Sequence, residues 1–536
     1  MSVFAGSPGR APHYDVIVIG GGINGAAIAR AAALRGCTVL LLERDDLCSG
    51  TSAAATRLIH GGLRYLEHAE FGLVYESLDD RESLLRAAGH LVAPIPLYIP
   101  CYAGARRARW QIALGLTLYD CLSWRKSLPW HRMLSREEML AKLPGLRAAG
   151  LEGGACYYDA QVTWPERMVV ELCIDAASNG AVIRTHCPVT SIIVEGGQAR
   201  GVEYVEAGST HRAAGTVIIN AGGPWVDRVA AGHAAQRLIG GTRGSHLVVM
   251  PVAGLPHDAL YVEASSNGRP FFIVPWNGLL LIGTTDVRFD GDPANVTMTD
   301  AEAAWLLDET RRIFPQAGPF EEQVCYGYAG VRPLPFQNEG TPGSITRRHH
   351  IHAHTRAQGM FSIIGGKLTT HRSLAEDVLH RIRKRLPASR RGSDTASRRF
   401  PGMLDANERG ELEAELTAVF NAELARRLLQ IYGAGAADIL ALAGESRELA
   451  MVLGPQSQVL VAEIAFAIDS QWARSITDVL QRRCMAGLAA DRGLRDAEYA
   501  ARWLVRLGRV DRHAALAQLI DYRAWLRRHR PVISAR

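Results

Sequence analysis

The 536-residue sequence predicts an α/β protein in which a doubly wound, Rossmann-like domain is interleaved with an antiparallel-sheet substrate domain and followed by an all-α C-terminal domain. Three observations carry this. The chain opens on a strand, a glycine-rich turn, a helix and a second strand. Two later β-branched runs each end in paired glycines. Beyond a stretch rich in Pro, Ser, Gly and charge, the spacing becomes helical without strand signals.

Taken in order, residues 14–20 (Tyr-Asp-Val-Ile-Val-Ile-Gly) are a short β-branched run cut off by glycines, as a buried parallel strand requires, and residues 24–35 are alanine-rich and helical. Residues 38–42 give the second strand, which ends at Glu43. The runs 216–223 (Thr-Val-Ile-Ile-Asn-Ala-Gly-Gly) and 360–366 (Met-Phe-Ser-Ile-Ile-Gly-Gly) read as returns to the same sheet, the second leading into a helix from about Leu368. Between them, 246–250, 270–274 and 279–283 suit an antiparallel sheet. The expected division is 14–90, 160–235 and 345–386 for the Rossmann-like domain and 91–159 and 236–344 for the substrate domain. A linker at 387–402 then precedes a helical domain at 403–536, where 411–420, 459–468 and 496–507 have helical spacing.

Lys+Arg 60 against Asp+Glu 54 leaves a net charge of +6, too small an excess over this length to signal nucleic-acid binding. Apolar residues at 48% and charged residues at 21% exclude a mainly disordered or fibrous chain. The nine cysteines are odd in number and scattered, with no CxxC pair, which argues against a disulfide framework, a structural zinc or an iron–sulfur cluster and for a reducing compartment. No apolar run reaches the ~18 residues needed to cross a bilayer, and the residues before Asp15 lack the apolar core of a signal peptide. A location in the cytosol or on a membrane surface is expected.

The run Gly20-Gly21-Gly22-Ile23-Asn24-Gly25 satisfies GxGxxG between a strand and a helix. Gly20 permits the tight turn, Gly22 lets backbone approach a pyrophosphate, and Gly25 lets the helix pack closely. Glu43, about twenty residues on, would accept from ribose hydroxyls and repel a 2′-phosphate, favouring FAD or NAD over NADP. Gly222 and Gly366 would bring bare backbone to the same ligand from two further turns, and a helix starting after Gly366 would aim its N-terminus at a bound ring, which favours flavin.

Six runs together resemble the FAD-dependent glycerol-3-phosphate dehydrogenases of the aerobic, quinone-reducing bacterial type. They are 20–25, 58–67 (Leu-Ile-His-Gly-Gly-Leu-Arg-Tyr-Leu-Glu), 244–246 (Gly-Ser-His), 283–286 (Gly-Thr-Thr-Asp), 330–334 (Gly-Val-Arg-Pro-Leu) and 365–370 (Gly-Gly-Lys-Leu-Thr-Thr). Their joint order is far more specific than GxGxxG, and the resemblance spans roughly residues 14–385, the helical tail fitting more loosely. It implies an FAD-binding fold that oxidises sn-glycerol 3-phosphate to dihydroxyacetone phosphate and passes electrons to membrane quinone. It also implies a homodimer held peripherally on the inner face of the cytoplasmic membrane.

On that resemblance, His246 is the base and Lys367 adds positive charge near flavin or substrate. Arg64 and Arg332 hold the phosphate, Tyr65 and Thr369 hydrogen-bond at the site, and Asn24, Thr51 and Ser52 join the cofactor contacts. Thr51 and Ser52 could equally cap a helix. Trp164 and Pro165 replace an acidic pair expected in the family, which keeps open another phosphorylated polyol as substrate. An amino-acid substrate on the same fold, or an FAD-binding membrane scaffold without turnover, are the other readings.

Two further stretches stand out. Residues 105–130 combine Arg106, Arg107 and Arg109 with Trp110, Trp124 and Trp130 around an apolar run, fitting either a helix in a bilayer interface or a buried helix with a basic end. His350, His352 and His354 alternate as on one strand face and are read as an exposed hairpin beside Arg347 and Arg348. No residue is assigned to a metal.

Overall fold

A computed structural model describes residues 11–387 and 395–529. Strand His13–Ile19 pairs in parallel with Val39–Leu42 on one side and Ser209–Asn220 on the other. Met360–Ile364 and Val182–Arg184 continue the parallel sheet outward. The antiparallel ribbon Val189–Glu195, Gln198–Glu206 and the edge strand His350–Ala353 make it a mixed sheet of eight strands.

Helix Ile23–Leu34 carries six alanines and one glycine among its twelve residues, and small side chains let it pack tightly beneath Pro165–Ser178 and His371–Ile382. Its buried face joins Val16, Val18, Leu41 and Val378 in one core.

A ten-stranded sheet forms the second layer. Strand Thr242–Val249 lies between Leu279–Gly283 and Val324–Arg332, in a register that sets His246 opposite Gly283 on one side and Tyr328 on the other. Its longest pair, Val92–Tyr102 with Leu151–Val162, was not marked by strand signals in the sequence, because Pro94, Pro96 and Pro100 argue against a ladder. These prolines share one parity, so their missing N–H groups all fall on one edge of the strand. Strand Leu58–Ile59, within the stretch expected for the Rossmann-like domain, also joins this sheet.

Helices Ala406–Val419, Ala422–Tyr432, Ala436–Glu445, Val461–Ser470, Ile476–Arg482, Leu494–Arg506 and Arg512–Arg528 form the C-terminal region. The first begins five residues before the helical spacing at 411, capped by Asp405, which accepts from the Asn407 and Glu408 amides. The region docks on the cofactor sheet through a buried ion pair, Arg483 with Asp46 at 2.8 Å, and through half-buried His186 on buried Asp478 at 2.9 Å. Within the expected linker, residues 388–394 lie outside the described residues. The rest is docked, with Arg398 on Asp175 at 2.6 Å and the Phe400 amide donating to the Ala87 carbonyl.

Candidate active site

The first βα turn is shaped by sterics. Gly20 ends its strand at φ +109°, where a side chain is strained, and a Cβ on Gly25 would sit 1.9 Å from the Gly20 carbonyl oxygen. Gly25 does not line the cavity; it brings the helix against the turn. Gly22 does line it, and a Cβ there would meet only the Ser52 hydroxyl, at 3.3 Å. That hydroxyl accepts from the Ile23 amide at 3.0 Å, so Ser52 caps the helix and keeps its O–H for a ligand. Thr51 instead donates to the Val331 carbonyl at 2.6 Å, tying this loop to the strand that carries Arg332. Glu43 accepts from the Gly21 amide at 2.5 Å and the Asp45 amide at 2.8 Å, while burial pushes its pKa up.

From Glu43 an elongated cavity runs past Gly22, Gly222 and Gly366 to Lys367. Its lining fits a dinucleotide: backbone is bare at three separate turns, and the buried Asn24 Oδ1 has no partner beside Gly366. Asn24 Nδ2 reaches the Gly365 carbonyl at 3.4 Å. Helix Ile23–Leu34 points its N-terminal amides at this space, as phosphate binding requires.

At the far end stands His246, 1% exposed. Its Nε2 is 2.9 Å from the Thr56 hydroxyl, its ring stacks on Tyr328 at 5.0 Å, and its Nδ1 has no partner among the described residues. Burial, helped by the charges of Arg332 and Arg57, holds its pKa well below the ordinary value and keeps it neutral. Arg332 donates to Asp286 at 3.1 Å and to the Thr284 hydroxyl at 2.8 Å. Arg269 and Arg347 lie on the same carboxylate at 3.0 and 3.1 Å, so three guanidiniums share one negative charge. Burial and then mutual repulsion bring both Arg332 and Arg269 down to about 9.

Arg64 does not line the cavity; it donates to the Gly343 carbonyl, close enough that its charge adds to the depression of Arg269 and Arg332. Tyr65 lines it, with its ring 4.9 Å from Lys367 Nζ. Lys367 donates to the His60 and Gly61 carbonyls at 3.1 and 3.2 Å and to Ser77 Oγ at 2.8 Å, and burial lowers its pKa to about 7. The Thr369 hydroxyl accepts from the His60 amide at 3.2 Å, so it fixes the His60 turn.

Sequence reading missed Thr56, His60, Arg269 and Arg347, and gave Asp286 no role. Arg347, expected beside an exposed hairpin, is mostly buried in the cavity wall, its side chain 12% exposed. Trp164 and Pro165 do not line the cavity: Trp164 is packed in the core and Pro165 opens helix Pro165–Ser178.

Residues 15–372 match the family of FAD dependent oxidoreductases, and residues 392–512 match the C-terminal domain of alpha-glycerophosphate oxidase. The glycerol-3-phosphate dehydrogenase of Synechocystis sp. is 42% identical over 494 residues, covering 88% of each chain. The D-erythritol 1-phosphate dehydrogenase of Brucella abortus is 35% identical over 482 residues, covering 88% of this chain and 93% of its own. The X-ray structure of the glycerol-3-phosphate dehydrogenase from Bacillus halodurans complexed with FAD superposes with a TM-score of 0.79 at 25% identity, covering 96% of this chain and 95% of that one. With likeness running through both the cradle and the helical region, the chain belongs to the FAD-dependent glycerol-3-phosphate dehydrogenase family, an oxidoreductase family with FAD as cofactor.

Proposed function

We propose that the chain oxidises sn-glycerol 3-phosphate to dihydroxyacetone phosphate and delivers the electrons to quinone at a membrane surface. The observation that carries the substrate reading is the set of three arginines on Asp286, two of which, Arg332 and Arg347, line the cofactor cavity together with His246. Two guanidinium charges in excess of one carboxylate suit a phosphate dianion better than the single charge of an amino-acid carboxylate. The planar forks of Arg332 and Arg347 offer paired donors to its oxygens.

Oxidation of a secondary alcohol removes a hydride from carbon and a proton from the hydroxyl. FAD supplies the hydride acceptor. Neutral His246 takes the hydroxyl proton, and Thr56 and the Tyr328 ring fix the plane of its imidazole. Burial excludes water from the base, and the phosphate anchor holds the alcohol carbon in one place. Lys367, held by three acceptors where the cofactor cavity meets the substrate end, offers positive charge there in its protonated form, with a pKa lowered by burial to about 7.

A membrane surface as the site of electron delivery draws support from helix Arg109–Leu122. One face, Ile112, Leu116 and Tyr119, is buried; Trp110, Leu114 and Leu118, at i, i+4 and i+8, face solvent. Trp124, Trp130, Phe71 and Tyr75 are exposed too, and Arg106 and Arg125 are exposed basic residues of the same segment. Among the described residues no helix is long and apolar enough to cross a membrane.

The similarity to an erythritol phosphate dehydrogenase gives a second reading, a four-carbon phosphorylated polyol. Anaerobic bleaching of the bound flavin separates the readings. Under the first, glycerol 3-phosphate bleaches it at far lower concentration than erythritol 1-phosphate, and amino acids leave it oxidised. Bleaching by an amino acid alone, or by neither phosphate, sinks the proposal.

A further inference from the structure

Behind the loop 49–57 lies a second cavity, of about 730 Å³, walled by the cofactor region, the large sheet and the helical domain. This is the size of a small-metabolite site. The carboxylates that reach it are engaged. Glu166 accepts from both terminal nitrogens of Arg57, at 2.9 and 2.8 Å, and Asp45 accepts from Arg44 at 2.7 Å. Arg482, also in the wall, is taken up by Asp46 and Asp478, each at 2.6 Å.

Arg492 is different. It is 7% exposed, and its guanidinium lies over the rings of Tyr326 at 4.1 Å and Trp525 at 4.5 Å. Its Nε and Nη1 have no hydrogen-bond partner, and no carboxylate pairs with it among the described residues. Burial lowers its pKa, opposed only by the phenols of Tyr326, Tyr522 and Tyr328 and by no carboxylate. The indole N–H of Trp225, which lines both this cavity and the cofactor cavity, is also buried without an acceptor among the described residues. Exposed Arg528 stands on the rim and makes no ion pair among the described residues. A desolvated cation with open donors is strongly unfavourable unless an anion completes it.

We propose that this cavity is a second ligand site, taking a small oxyanion (phosphate or carboxylate) on Arg492, with Arg528 at its edge and the Trp225 N–H as a further donor. The site is distinct from the Arg332 cluster and does not depend on the substrate assigned there. The two share a partition: Tyr328, which lines the second cavity, stacks on His246, and Thr51 joins Val331 beside Arg332. Occupancy would also bridge the helical domain to the cofactor region, so it stabilises the docked arrangement.

The test is calorimetric titration of the FAD-loaded enzyme with inorganic phosphate and, separately, with citrate. Wild type, R332M, R492M and R528S are compared, each checked for flavin content. At least one of the two anions is expected to show a saturable site that survives R332M, is lost in R492M and is weakened at least threefold in R528S. Which anion does so identifies the source of the oxyanion. Because Arg528 is exposed, R528S keeps the test decisive should R492M fail to fold. Titrations of R492M and R528S that overlay wild type, or no saturable binding of either anion once Arg332 is removed, overturn the proposal.

Discussion

Replacing Arg332 by methionine isolates the anion contact from the fold. The side chain donates to Asp286 at 3.1 Å and Thr284 at 2.8 Å, yet Asp286 keeps Arg269 at 3.0 Å and Arg347 at 3.1 Å, so no buried carboxylate is orphaned. Methionine also retains much of the apolar stem. What disappears is the contact to phosphate. A hydrogen bond to a charged group contributes about 1.5–3 kcal/mol. At 1.4 kcal/mol per factor of ten, KM should rise roughly 10- to 150-fold. An anchor remote from the reacting carbon acts alike in ground and transition states, so at a pH high enough that His246 is neutral in both proteins kcat should change little. Steady-state rates with glycerol 3-phosphate and a dye acceptor measure this, and glycerol, which lacks the phosphate, serves as the control on which R332M and wild type should coincide. A KM within twofold of wild type, or an equal loss on glycerol, would refute the anchor role.

H246Q should keep its flavin and its KM while kcat falls about 10²–10⁴-fold, the usual contribution of a positioned base; a rate near wild type removes His246 from that role. Because burial and the neighbouring arginines depress the His246 pKa, the acid limb of kcat/KM should lie below the ordinary histidine value. A bound dianion offsets the Arg332 charge, so the acid limb of kcat should lie at higher pH than that of kcat/KM, and the reverse order contradicts the assignment. At the other extreme KM should climb above about pH 9 as Arg332 and Arg269 lose their protons, whereas a KM flat to pH 10 would mean they are not the anchor. G25A places a methyl 1.9 Å from a backbone oxygen that cannot move aside, so the purified variant should be colourless; yellow protein with normal FAD content argues against the close packing. In vesicle flotation, W110S/L114S should lose binding to anionic liposomes, and flotation equal to wild type rules out that face as the contact.

The cofactor side was legible because its constraints are local and steric. Gly20, Gly22, Gly25 and Glu43 fall within one strand–turn–helix–strand unit, and each glycine records a place where a Cβ meets backbone or closes the cavity. The substrate side was only partly legible. Resemblance pointed to Arg332 and His246, but Arg269 precedes the strand Pro270–Trp276, Arg347 follows a loop, and nothing near either reports that both end on Asp286. Charge clustering is set by sheet register across long separations, and one-dimensional spacing does not encode it. Arg64 shows the converse: its motif is intact, yet its guanidinium is committed to the Gly343 carbonyl and acts on the site through its charge. The residues at 105–130 gave two readings because an amphipathic helix with apolar residues on both faces satisfies both. The structure buries one face and exposes Trp110, Leu114 and Leu118 on the other. Arg332, one of the three guanidiniums on Asp286, also helps burial hold His246 neutral, so anchor and base are linked electrostatically through that one side chain.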